Sequence, residues 1–251
     1  MGVSVTQRIS KISQPRGGYL KPKDLQKKEL NCNNILYDSE NIHSSLVGLA
    51  VDYLTRFMLK KDVYKAFNIS LIGAKIGNFS DVADKFISKI KGLDDQSIIY
   101  ACKLVGFDVI FRSGIIGYKP VDEILPDQKT IFNIREMVSR SLVFFEKYGP
   151  IIIDGFTFDG GYSSIVSSGD GDFLTDDTLW DFKVSYKEPT NKHTLQLLMY
   201  YIMGIHSKYK YFQNIKNIAI FNPRLNVIYI KPLNEISDDI IKEIEKNVIC
   251  Y

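Results

Sequence analysis

The stretch Gly169-Asp170-Gly171-Asp172-Phe173-Leu174-Thr175-Asp176-Asp177-Thr178-Leu179-Trp180-Asp181-Phe182-Lys183-Val184-Ser185 decides how this chain is read. It reads as two short strands joined by a tight polar turn at Asp176-Asp177. Residues equidistant from that turn then face each other, so Asp172 lies opposite Asp181 and Asp170 opposite Lys183. Side chains alternate along a strand. Asp170, Asp172, Leu174, Leu179, Asp181, Lys183 and Ser185 therefore share one face, and Gly171, Phe173, Trp180, Phe182 and Val184 the other. The expectation is an apolar face against the core and a polar, acidic face on the other side. Like charges directly opposite destabilise a sheet. A bound divalent cation resolves that conflict, because hard cations take carboxylate oxygens and neutralise them. A solvated face of a two-sided hairpin is the plainer alternative.

The bulk composition narrows the classes. The 251 residues are 45% apolar and 24% charged, an ordinary globular balance. The net charge of +3 supplies no strong global field for nucleic acid, so any basic surface must be local. Cys32, Cys102 and Cys250 are far apart and form no CxxC pattern, which gives no sign of a zinc site, a cluster or a disulfide framework. No apolar run approaches the ~18 residues of a transmembrane helix, and the N-terminus lacks the apolar core of a signal peptide. A cytoplasmic protein without a membrane is expected.

Outward from the hairpin, the chain sorts into three parts. Residues 1–40 read as a basic, irregular N-terminal arm, with Lys11, Arg16, Lys21, Lys23, Lys27 and Lys28 interleaved with Gly17-Gly18 and prolines. Residues 41–251 read as the main domain, with a mostly helical insertion at about 62–147 that is expected to offer a surface to a protein partner. A first helix over about 42–59 carries apolar residues at three- and four-residue spacing and contains Asp52, one turn from Arg56, which suits a surface pair. Strands begin at Pro150. Asp154 interrupts the apolar run Ile151–Phe158 and reads as a strand-end or solvent-facing acid. After the hairpin, Thr190 is a plausible N-cap for a helix from Asn191. Gln196 and Tyr200 are four apart and share a face of that helix. His193 reads as structural. A second hairpin over 215–231 and a last helix over 236–248 close the chain.

The order helix, insertion, three strands, helix, two strands, helix carries three motifs in sequence. They are Gly169-x-x-Asp172, Asp181-Phe-Lys183 and Gln196-x-x-x-Tyr200. In that combination the chain resembles the PD-(D/E)XK nuclease superfamily, and most closely its RecB-like exonuclease branch. The resemblance is sharp over residues 169–200 and loose over 42–60 and 150–231. It implies an α/β fold with a restriction-endonuclease-like core, a central mixed sheet flanked by helices. It also implies a metal-dependent deoxyribonuclease acting on DNA, using Mg2+ or Mn2+. Carried over residue by residue, Asp172 and Asp181 would bind the metal with the Phe182 carbonyl, and Lys183 would orient the attacking water. Gln196 and Tyr200 would support the site and the DNA strand. RecB-like relatives usually place a histidine on the first helix; the comparable segment here offers Asp52 as the further ligand. The alternative expectation is a nuclease-fold DNA- or protein-binding factor without catalysis, an inhibitor or assembly protein.

Overall fold

A computed structural model describes residues 2–31 and 34–251; Cys32 lies outside them. The chain divides into two compact units, Met1–Asn31 with Phe145–Tyr251, and Cys32–Phe144. In the first unit the N-terminal segment is ordered, contrary to the irregular arm expected from its lysines. It forms β1 (Val3–Ser4), α1 (Val5–Lys11), a 3-10 turn at Pro22–Asp24 and β2 (Gln26–Glu29). The physical reason is a local cap plus burial. Ser4 and Gln7 form a capping box, with Gln7 N–H on Ser4 Oγ and Ser4 N–H on Gln7 Oε1. Val5, Ile9, Leu20 and Leu25 enter the core.

Among its described residues, the second unit's regular secondary structure is helical. It comprises α2 (Ser44–Lys60), α3 (Val63–Ala66), α4 (Asn68–Ile76), α5 (Ser80–Ile87), α6 (Asp95–Val105), α7 (Asp108–Ser113) and most of α8 (Gln128–Tyr148). The helical block expected at 62–147 is present, but the first helix, α2, belongs with it rather than with the sheet. Phe79, Phe107 and Tyr118 stack within the unit. Asp108 is 1% exposed, and Tyr53 and Ser70 donate hydrogen bonds to it. Burial still holds its carboxyl above the usual range. The segment before α2 is tied down through Tyr37, whose N–H and carbonyl are both bonded by the Asn133 side chain. Ile35 stays exposed.

The rest of the chain supplies β3 (Ile153–Phe156), β4 (Val166–Ser168), β5 (Gly171–Leu174), β6 (Thr178–Phe182) and α9 (Asn191–His206). It continues through β7 (Asn217–Asn222) and β8 (Val227–Pro232) to α10 (Asp238–Glu243), which runs on as a π-helical turn over Ile244–Ile249. The main sheet is mixed and six-stranded, in the order β2-β8-β7-β6-β5-β3. All neighbours are antiparallel except β6 and β7, which are parallel and joined through α9. β4 does not join this sheet; it pairs with β1 in parallel.

Both faces of the sheet are covered. On one, Leu174, Leu179, Ile218 and Ile220 pack with Leu195, Leu198, Met199 and Ile202 of α9, each contributing about 1.5–3 kcal/mol when fully buried. On the other, Phe145 and Tyr148 at the end of α8 meet Phe173 and Trp180, with ring centroids 4.7 and 5.9 Å apart. The plainer alternative of a solvated face does not hold over its apolar half, where α9 covers Leu174 and Leu179 and Asp181 is buried. No helix among the described residues is long and apolar enough to cross a membrane.

Gly171, at the start of β5, is where the Phe156 ring rests: a Cβ there would lie 2.1 Å from two ring atoms. Gly171→Ala is expected to lower stability by about 1–3 kcal/mol, measured by urea denaturation; a change below about 0.5 kcal/mol would contradict this packing.

Candidate metal and catalytic site

The central hairpin has the register read from the sequence. Phe173 pairs with Trp180 and Leu174 with Leu179. Thr175 N–H donates to Thr178 O at 3.0 Å, which closes a two-residue turn at Asp176-Asp177. Trp180 Nε1 donates to Thr175 Oγ1 at 2.9 Å, locking the turn from the side. The backbone ladder between the two strands stops at Phe173 and Trp180. One step further, Phe182 N–H donates to Asp172 Oδ2 at 2.8 Å, so a carboxylate stands where a backbone carbonyl would otherwise accept. The Phe182 N–H thus fixes the Asp172 carboxylate.

Asp181 is 1% exposed. Its Oδ1 accepts from Lys183 Nζ at 2.8 Å, as the two-residue spacing on one face requires. Its Oδ2 is buried with no hydrogen-bond partner. A lone buried carboxylate oxygen costs free energy unless something compensates it. Burial first, and then the Asp172 carboxylate, push the Asp181 acid up to about 6, against the opposing pull of Lys183. The acid–acid conflict inferred from the sequence is thus present in the folded chain.

The surroundings come from α9 and the loop before β5. Gln196 Nε2 donates to Tyr200 Oη at 2.9 Å, and both side chains are buried. The Tyr200 phenol is raised by burial and by the charges of Asp181 and Asp172, which places it in the same electrostatic neighbourhood. Gly169 lies close beneath Tyr200: a Cβ at Gly169 would sit 3.6 Å from Tyr200 Cε1 and 2.8 Å from Val5 Cγ2. Tyr162, not singled out by the sequence reading, fixes the entry to β5. Its hydroxyl donates to Gly169 O at 3.0 Å and accepts from Phe158 N–H at 3.2 Å. His193 accepts from Thr190 N–H through Nδ1, completing the start of α9. Burial and nearby Lys183 lower its ring to about 4, so it is neutral at pH 7.

Three further acids stand in other settings. Asp154 pairs with Phe173 and so faces away from Asp172 and Asp181. Asp170 is exposed, just ahead of β5. Asp52 belongs to the helical unit, and its carboxylate is held by Arg56 Nε at 2.7 Å, the pairing expected from their spacing. Among the described residues no three His, Cys, Asp or Glu side chains gather as a ready-made metal shell. The arrangement is a pair of carboxylates with one uncompensated oxygen. That suits Mg2+, which is commonly held by one or two carboxylates, with water and substrate phosphate completing its octahedron. Comparison with known proteins returns no match for this chain among family models, curated proteins or solved structures.

The elevated Asp181 acid has a stability signature. The folded chain holds its proton between about pH 4 and 6 while the unfolded chain has released it, so this group's contribution is full below about pH 4 and is lost as the pH rises through about 6. The loss amounts to about 3 kcal/mol. Asp181→Asn keeps an acceptor for Lys183 and removes the titration. The metal-free variant is expected to melt higher than the parent chain at pH 7.5 and to lose most of the fall between pH 4 and 6.5. Identical melting profiles would contradict the assignment.

Proposed function

We propose that the chain is a divalent-metal-dependent DNA nuclease with a restriction-endonuclease-like core, hydrolysing phosphodiester bonds at Asp172, Asp181 and Lys183. The observation that carries this reading is the buried, partnerless Asp181 Oδ2, on an acid that the nearby Asp172 charge also raises. Folding alone does not favour that arrangement, whereas a cation compensates it. The strand order supports the reading: the strand with Gly169-x-x-Asp172 lies beside the strand with Asp181-x-Lys183, and the Gln196-x-x-x-Tyr200 helix follows directly.

The roles follow from geometry. Asp172 and Asp181 would hold Mg2+ or Mn2+. The bound ion supplies Lewis-acid stabilisation of charge on the scissile phosphate and a more acidic water. Lys183, anchored on Asp181 at 2.8 Å, is positioned to orient that water or to meet a phosphate oxygen. It remains 28% exposed, so its ammonium reaches the site's open side. Phe182 N–H fixes the Asp172 carboxylate, and the Gln196–Tyr200 pair walls the site from α9. Water adds to phosphorus, the bond to one ester oxygen breaks, and that oxygen leaves with a proton.

Linear and circular DNA incubated with the protein in Mg2+ or Mn2+ is the test. Cleavage is expected, abolished by a chelator and reduced about 100-fold or more by Asp181→Ala or Lys183→Ala. Unchanged cleavage in both variants would overturn the assignment. DNA that is bound but never cut in either metal would instead point to the non-catalytic binding factor.

A further inference from the structure

His193 serves the start of α9 with only one of its ring nitrogens. Nδ1 accepts the Thr190 N–H at 3.1 Å. A ring nitrogen that accepts carries no proton, so in the neutral imidazole the proton sits on Nε2. Among the described residues Nε2–H bonds to none, and the ring is half-buried rather than sealed. Capping asks only for an acceptor at this position, which Gln or Glu ordinarily supplies. The cap therefore accounts for Nδ1 and leaves a donor over.

That donor stands beside the carboxylate site. His193, Gln196 and Tyr200 follow one another at three- and four-residue spacing and form one stripe of α9. Tyr200 lies in the field of Asp181 and Asp172, and His193 in that of Lys183. Lys183 in turn holds Asp181 Oδ1 at 2.8 Å and is 28% exposed. Gln196 and Tyr200 are buried, whereas His193 is not. The stripe thus runs from the acids to the lysine and emerges at the open rim of the site. Burial first, and then the Lys183 charge, lower the His193 ring to about 4, which keeps it neutral at pH 7. Lys183 would repel a second cation at this place. A neutral N–H offers a hydrogen bond to an anion without that cost.

We propose that His193 Nε2–H is a phosphate contact of the site, donating to a nonbridging phosphate oxygen of the DNA strand at the open rim, beside Lys183. The identity of the anion rests on the nuclease reading; the fixed tautomer and the position next to Lys183 do not. A donor to the backbone carries no sequence information, so the contact adds affinity and register without base preference.

The test is nuclear magnetic resonance of the full chain carrying isotope-labelled histidine. It is recorded at pH 7 with a single strand of about ten nucleotides and with Ca2+, a hard cation that the same oxygen ligands accept. Without DNA, His193 is expected as the neutral Nε2–H tautomer. With DNA, its Nε2–H proton is expected to move downfield while His43 and His206 stay in place. Affinity measured by fluorescence anisotropy separates donor from cap. His193→Gln and His193→Glu both keep a side-chain oxygen for Thr190 N–H, but only Gln also keeps an N–H donor. Both are expected to melt like the parent. Gln is expected to bind the strand like the parent, and Glu at least about ten-fold more weakly, the scale of one hydrogen bond to a charged acceptor. An Nδ1–H tautomer, an unmoved Nε2–H with the strand bound, an equal shift at all histidines, or equal affinity of the Gln and Glu variants would each overturn the contact. Cleavage with Mg2+ or Mn2+ alongside any of these would leave the nuclease reading standing. A shift confined to His193 in a chain that cuts no DNA would uphold the contact and reject the nuclease reading. A folded parent chain that neither binds nor cuts DNA would overturn both.

Discussion

The site depends on one uncompensated group: a carboxylate oxygen of Asp181 buried in the sheet, within the field of a second acid, Asp172. Lys183 satisfies one oxygen of Asp181, and Phe182 N–H satisfies one oxygen of Asp172. Neither satisfies Asp181 Oδ2. A buried charge that is only half compensated is costly, so the surrounding structure has to hold it there. The turn at Asp176-Asp177 sets the register, the Trp180–Thr175 hydrogen bond stiffens it, and β7 clamps the far side of β6 through five consecutive pairings.

The fold around this pair is a rigid holder. Aromatic rings from the end of α8 cover the reverse face, and α9 covers the apolar half of the acidic face. The Asp181 carboxylate therefore cannot relax into bulk solvent, and its burial, with the Asp172 charge added to it, raises the acid. Positioning of this kind, on strands whose side chains are locked by packing, is what a precise metal or phosphate site requires. The N-terminal segment extends the same platform. As β2 it becomes the edge strand beside β8.

Much of this was legible in the chain itself, for physical reasons. A two-residue turn admits one register, so the facing of Asp172 and Asp181 followed from counting. The i, i+4 spacing of Gln196 and Tyr200 required their contact. The lysines and glycines of the N-terminal segment suggest a solvated arm, but its capping box at Ser4 and Gln7 and its spaced apolar residues order it against the core. Short strands such as β1 and β2 owe their pairing to partners more than a hundred residues away, and no local pattern announces that. The covering of the acidic face was also hidden: alternation tells which residues share a face, not whether a helix lies over it. The i, i+4 spacing of Asp52 and Arg56 described the pairing that is present.

The central claim is that the Asp172–Asp181 pair is a cation site. Calorimetric titration of Mn2+ into the metal-free protein above pH 7 tests it most directly. The account predicts saturable binding of a single ion per chain, absent in Asp181→Asn and weakened in Asp172→Asn. Equal binding by the parent and by Asp181→Asn, or no binding by the folded parent chain, would contradict it.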